Sequence, residues 1–176
     1  LVPVVRGEMR CRIHAHRSDD IMTAVKIAEE FHLDYTIEHC TEGYMIVDAL
    51  KRHHVRATIG PYLWGPEKQE LWNMSMENPG ILAQNGIDIA LTADDGSRTA
   101  YLPATIGLLL RRGLSEKAAF EGVTIQPART LQLEDRIGSL EPGKDADIAI
   151  FDGHPFSSLS ACRMTIIDGK IVHNTL

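Results

Sequence analysis

Cysteine is scarce in this chain: Cys11, Cys40 and Cys162 are the three present in 176 residues, an odd number with no C-x-x-C spacing. That argues against a disulfide framework and against a sulfur-ligated zinc site, and makes a reducing, cytoplasmic setting the expectation. Basic runs are short as well. None exceeds two residues and the formal charge is −6, so the positive footprint that a phosphate backbone demands is missing and nucleic acid is not an expected partner. Apolar runs such as Ile148 to Phe151 fall far below the roughly 18 residues needed to cross a bilayer. No charged-then-apolar signal pattern opens the chain, and no membrane role is expected. No Gly-rich phosphate loop opens a helix, which disfavours an ordinary open α/β domain of the flavodoxin type. An initiator Met is also lacking before Leu1-Val2-Pro3-Val4-Val5-Arg6, so processing or truncation is expected to have removed what came before.

What is present reads as a folded domain. Apolar residues make up 44% and charged residues 24%, a globular balance, and the length suffices to bury a core. From Arg10 to Val123 short β-like runs alternate with longer helical patterns, the signature of successive βα units on a parallel sheet. Strands are predicted at Arg10 to His16, Tyr35 to His39, Val55 to Gly60 and Ile87 to Thr92. Helices are predicted from Ser18 or Asp19, either of which can cap, to about His32, from Tyr44 to Arg52, and near Pro79 to Asn85. Two more follow, from Leu102 to Arg112 with Gly113 as C-cap and from Ser115 to Val123. The irregular stretch Pro61 to Asn78, with Trp64 and Trp72, is too long for a minimal connection and is a candidate substrate-facing loop.

The composition then changes. Gly138 to Phe151 reads as turn and strand, and Met164 to Ile167 with Lys170 to Val172 reads as a hairpin across Asp168-Gly169. The division expected is residues 1–134 as a barrel portion and 135–176 as a β-rich tail belonging to a composite sandwich.

Three predicted strand ends carry side chains able to bind metal: His14 and His16, then His39, then Asp94. His14 and His39 are 25 residues apart, one βα repeat, and His39 and Asp94 are 55 apart, two repeats with the long loop. In a parallel barrel the C-terminal strand ends meet at one mouth, so residues distant in sequence would converge there. Strand alternation places His14 and His16 on the same side. Imidazole and carboxylate form a normal zinc set, with a coordination position left for water whose proton a carboxylate such as Asp94 could take. The plainer reading is that a His on a strand is more often structural, and His32, His53, His54, His154 and His173 are read that way. Cys40 is expected to be a buried, inert thiol, and turn formation alone would explain one of Asp94 and Asp95.

The runs Arg12-Ile13-His14-Ala15-His16-Arg17, Ile37-Glu38-His39-Cys40-Thr41-Glu42 and Leu91-Thr92-Ala93-Asp94, with the tail Arg136-Ile137-Gly138-Ser139-Leu140-Glu141-Pro142-Gly143-Lys144-Asp145-Ala146-Asp147, resemble the amidohydrolase superfamily in its imidazolonepropionase-like branch. The resemblance runs from Val5 onward, and the tail motif is its most specific part. It implies an α/β fold: the C-terminal half of a (β/α)8 TIM-like barrel, about four βα units, plus part of a small β-sandwich. It implies one or two divalent metal ions, zinc first, with His14 as the strand-five ligand and His16 as neighbour or substitute. His39 would be the strand-six His, on a second metal or on the substrate carbonyl, and Asp94 the strand-eight ligand and general base. Thr41, Glu42 and Asp95 would line the mouth. The family's first-strand His-x-His and strand-four carboxylated Lys have no counterpart here, so the chain alone is expected to have little activity and to associate through exposed barrel edges, as a homo-oligomer or otherwise. The expected function is hydrolysis of an amide-type C–N bond in a small cyclic or peptide-like substrate. A non-catalytic assembly or binding module that keeps the fold is the alternative.

Overall fold

β-Branched and apolar runs become strands here where a parallel neighbour lies alongside. In the computed structural model, which describes residues 1–63 and 68–176, β1 (Cys11–Ala15), β2 (Tyr35–His39), β3 (Ala57–Ile59) and β4 (Ile89–Leu91) hydrogen-bond in chain order as one parallel sheet. The register sets Ala15 beside His39, His39 beside Ile59 and Ile59 beside Leu91, so the four strands end at one level. A short helix, α1 (Val2–Val5), precedes the sheet. The crossovers carry α2 (Ser18–Glu30), α3 (Val47–Arg52) and α4 (Asn78–Gln84); after β4 come α5 (Gly96–Thr99), α6 (Leu102–Arg111), α7 (Glu116–Val123) and α8 (Ile125–Thr130).

Period-two alternation divides the sheet. Ile37, Ala57, Ile59, Ile89 and Leu91 join Ile21, Val25, Leu50, Leu82, Ile106 and Leu109 in the core between sheet and helices. Each fully buried Leu or Ile contributes about 1.5–3 kcal/mol by leaving water. The opposite face is polar and centres on Glu38. Its carboxylate accepts from Arg12 Nε and Nη2 at 2.8 and 2.6 Å, and from the hydroxyls of Thr36 and Thr58, each at 3.1 Å.

Helix starts depart from expectation at α2. Neither Ser18 nor Asp19 caps it: the N-cap is Arg17, whose side chain does not cap, and the Ser18 N–H donates instead to Glu42 Oε2 at 2.7 Å. A carboxylate from the next βα unit thus satisfies the first turn and complements the positive end of the helix. Ser115 does cap α7, accepting from Ala118 N–H, and Gly113 takes the left-handed conformation just past α6. The helix expected from Tyr44 to Arg52 begins as a 3-10 turn, Gly43–Met45, and becomes α-helical at Val47.

The tail forms an antiparallel sheet of β5 (Ile148–Phe151), β6 (Cys162–Ile167) and β7 (Lys170–Asn174). Asp168 and Gly169 both have positive φ, 51° and 72°, as a two-residue hairpin of the primed type requires. The segment between β5 and β6 sends buried Phe156 into the main core, its ring 4.8 Å from that of Phe120 on α7. Gly107 on α6 permits this approach, since a Cβ there would lie 2.3 Å from the Phe156 carbonyl oxygen.

Candidate metal centre

The aligned strand ends gather imidazoles. His14 lies on β1, His16 one residue past it and His39 at the end of β2; ring centroids are 4.7 Å apart for His14 and His16, and 4.5 Å for His39 with either. One ligand nitrogen from each ring lies within 4.8 Å of the others. Simple alternation would turn His39 toward the helices along with Ile37. Instead His39 has φ 71° and Cys40 φ 43°, and this left-handed stretch re-aims the imidazole into the mouth while the Cys40 thiol enters the core. Such backbone costs about 1–3 kcal/mol per residue and persists where its surroundings enforce it.

Hydrogen bonds decide which nitrogen of each ring points inward. His39 Nδ1 donates to the Gly60 carbonyl at 2.6 Å, leaving Nε2 as the lone-pair donor. His16 Nδ1 lies 2.7 Å from Thr41 Oγ1, so Nε2 is the ring nitrogen left for the mouth. Burial, then the neighbouring His39 and His14, push the His16 pKa down to about 4. Burial and His39 also lower that of His14. Both rings are therefore neutral near pH 7, the form that ligates metal. Three imidazoles with one ligand nitrogen from each in close reach of the others fit a divalent ion of the zinc type.

The remaining expected residues divide by role. Asp94 is exposed, stands in the left-handed region at φ 62°, and contributes to the electrostatic field at His14; it is not part of the three-imidazole cluster. Asp95 is the turn former, capping α5 by accepting from Arg98 N–H at 2.9 Å. Thr41 is buried and supports His16. Glu42 is buried and accepts from Ser18 N–H and from Asn73 Nδ2, the latter at 2.8 Å. Burial acts to raise its pKa, but the bonds from Asn73 and Ser18 outweigh it and hold the carboxyl below the usual range.

The long loop after β3 holds the residue that sequence reasoning missed. Trp64 lies outside the described residues, and Trp72 is 68% exposed. Glu70, on the 3-10 turn Gln69–Leu71, sets Oε1 at 3.7 Å from His16 Nε2 and 3.1 Å from Lys68 Nζ. The signal available was its place: an acidic residue in an overlong loop that follows a strand of the parallel sheet. Among the described residues no helix is long and apolar enough to cross a membrane.

Known proteins resemble the chain in sequence and in fold. The sequence model of the Amidohydrolase family matches residues 4–173. An adenine deaminase of Jannaschia sp. is 41% identical over 88 residues, 47% of this chain and 14% of that protein. An imidazolonepropionase of Geobacillus thermodenitrificans is 35% identical over 103 residues, 53% of this chain and 24% of that protein. A crystal structure of an amidohydrolase from Thermotoga maritima superposes with a TM-score of 0.94 at 39% identity, over 99% of this chain and 46% of the other. The chain therefore spans less than half the length of that structure and about a quarter or less of these curated relatives. A zinc-bound adenosine deaminase from Xanthomonas campestris shares the fold at 18% identity, with a TM-score of 0.68 over 95% of this chain and 46% of that one.

Proposed function

Because the chain belongs to the amidohydrolase family, we propose that it supplies the C-terminal half of a (β/α)8 barrel in a metal-dependent hydrolase of amide-type C–N bonds. The observation that carries this reading is the convergence of His14, His16 and His39 at the aligned ends of parallel strands, with one donor atom from each within 4.8 Å of the others. The barrel half is residues 1–134, and residues 135–176 belong to a sandwich completed by other strands.

His14 and His39 would hold the ion together with Asp94, and His16 stands beside them as a further imidazole donor. A bound divalent ion, zinc first, supplies Lewis acidity toward a carbonyl oxygen and lowers the pKa of its water. The chain's own residues do the rest. Gly60 keeps the His39 tautomer with Nε2 inward, and Thr41 holds the His16 ring through its Nδ1. Asp94 would take the proton of the attacking water as its oxygen adds to the carbonyl carbon, and would then deliver it to the leaving nitrogen as the C–N bond breaks. The names of the curated relatives, an adenine deaminase and an imidazolonepropionase, support a small nitrogenous substrate.

β1 and β4 each pair on one side among the described residues. Their open edges make association, with a second copy or with a complementary barrel half, part of the same proposal. Metal analysis tests the site directly. His14→Ala and Asp94→Ala are each expected to lower metal content and to abolish hydrolysis of N-acyl and cyclic-amide substrates in the complete enzyme. Unchanged metal and unchanged hydrolysis in both variants would sink the assignment.

A further inference from the structure

We infer that Glu70 is an additional ligand of this metal centre, a carboxylate delivered by the loop after β3 to the side of the mouth where His16 stands. The inference rests on the metal-site reading above and extends it to a residue outside the strand ends.

Distance is the first argument. Glu70 Oε1 lies 3.7 Å from His16 Nε2, too far for a hydrogen bond, yet the two groups face each other. Two donors on one tetrahedral zinc, each about 2.0–2.1 Å from the ion, stand about 3.3 Å apart, and a widened angle brings that to about 3.6 Å. The pair is thus spaced for sharing a cation. His16 Nδ1 is engaged with Thr41, so Nε2 is the ring nitrogen that faces the carboxylate. A divalent ion seated between this nitrogen and the carboxylate would bond to both.

The second argument is anchoring. The turn that carries Glu70 is fixed rather than loose: Leu71 is buried, Leu71 N–H donates to the Lys68 carbonyl at 3.0 Å, and Asn73 Nδ2 donates to Glu42 Oε1 at 2.8 Å. Tyr44 Oη donates to the Asn73 carbonyl at 3.0 Å. These bonds tie the loop to the segment that follows His39, so the carboxylate is held near the cluster by the same scaffold. What competes for Glu70 is Lys68 Nζ at 3.1 Å, an ammonium whose side chain is 58% exposed and which can withdraw into solvent when the carboxylate turns to a divalent ion.

Cobalt(II) is the probe, added to the full chain, because its visible d–d bands report ligand number and its affinity is measurable by chelator competition. The wild type is expected to bind Co2+, Glu70→Gln to bind it about 10- to 100-fold more weakly with shifted bands, and Lys68→Ala to bind it as tightly as wild type or more so. Glu70→Asp should restore part of the affinity, and circular dichroism should find all variants folded. A Glu70→Gln protein with wild-type affinity and spectrum overturns the role of Glu70 while leaving the imidazole site standing. A wild type that binds no Co2+ overturns the metal-site reading and this inference with it.

Discussion

The carbonyl of Gly60 accepts a hydrogen bond from His39 Nδ1 at 2.6 Å, tying the imidazole at one strand end to the backbone of the next. Gly60 has φ +129°, and a Cβ built there would lie 2.2 Å from the Thr92 carbonyl oxygen. Any side chain must therefore push β3 and β4 apart at the mouth, besides straining its own backbone. Gly60→Ala is expected to lower stability by at least about 2 kcal/mol, and so to lower Tm by about 5 °C or more in a domain of this size. An unchanged thermal melt by circular dichroism would show that the strand ends are not locked in this way.

Much of this arrangement was legible in the residues, and the parts that were not have physical causes. β2 runs from Tyr35 to His39 as its alternating, β-branched pattern predicts, and the Asp168-Gly169 turn has the positive φ values that its composition calls for. β3 and β4 are shorter than their apolar runs. Val55 N–H bonds the Leu50 carbonyl and Ile87 N–H the Leu82 carbonyl, so at these residues the chain is still closing the preceding helix. Side-chain direction at the site was beyond pattern reading. Alternation alone sends His39 to the helix side, and the left-handed backbone that reverses it belongs to non-glycine residues, where composition gives no warning. Glu70 was hidden for a related reason: its nearness to His16 follows from the path of an irregular loop, which has no periodicity to read.

Cys40 should be chemically silent. It is fully buried, and burial pushes its thiol up to about 12, so almost no thiolate exists near pH 8. Cys11 and Cys162 are partly exposed. With iodoacetamide on the native chain, Cys11 and Cys162 should react and Cys40 should react after denaturant is added, as mass spectrometry of the peptides would read. Modification of Cys40 at the same rate as the other cysteines in native protein would contradict its place in the core.

The two ends of the Arg12–Glu38 pair should not be equivalent. Glu38 gathers three donor side chains and its carboxylate is largely buried, whereas the Arg12 side chain is half exposed. Glu38→Ala leaves the Thr36 and Thr58 hydroxyls, both on buried residues, without their acceptor, at about 1–3 kcal/mol. Arg12→Ala removes one well-solvated partner and should cost no more than about 1 kcal/mol. Urea titration of both variants gives the order, and equal midpoints for the two would refute the Glu38-centred network.

Glu42 gives the acid arm of stability its sign. The folded chain holds this carboxyl below the usual range through Asn73 and Ser18, against the opposing effect of burial, so the folded state binds the proton less readily than the unfolded chain does. The stabilisation from Glu42 is therefore fully present above the ordinary Glu value of about 4.3 and fades as pH falls through the lower folded value. Glu42→Gln keeps the shape and loses the charge that complements the start of α2, and should lower stability near pH 7 by about 0.5–2 kcal/mol. Below the folded value both proteins carry a neutral side chain, and the gap between them should narrow. Urea midpoints measured for wild type and Glu42→Gln from pH 7 down to pH 3 would display that convergence. Parallel curves across the whole range would mean that the charge of Glu42 has no part in holding α2 to the loop beneath the imidazoles.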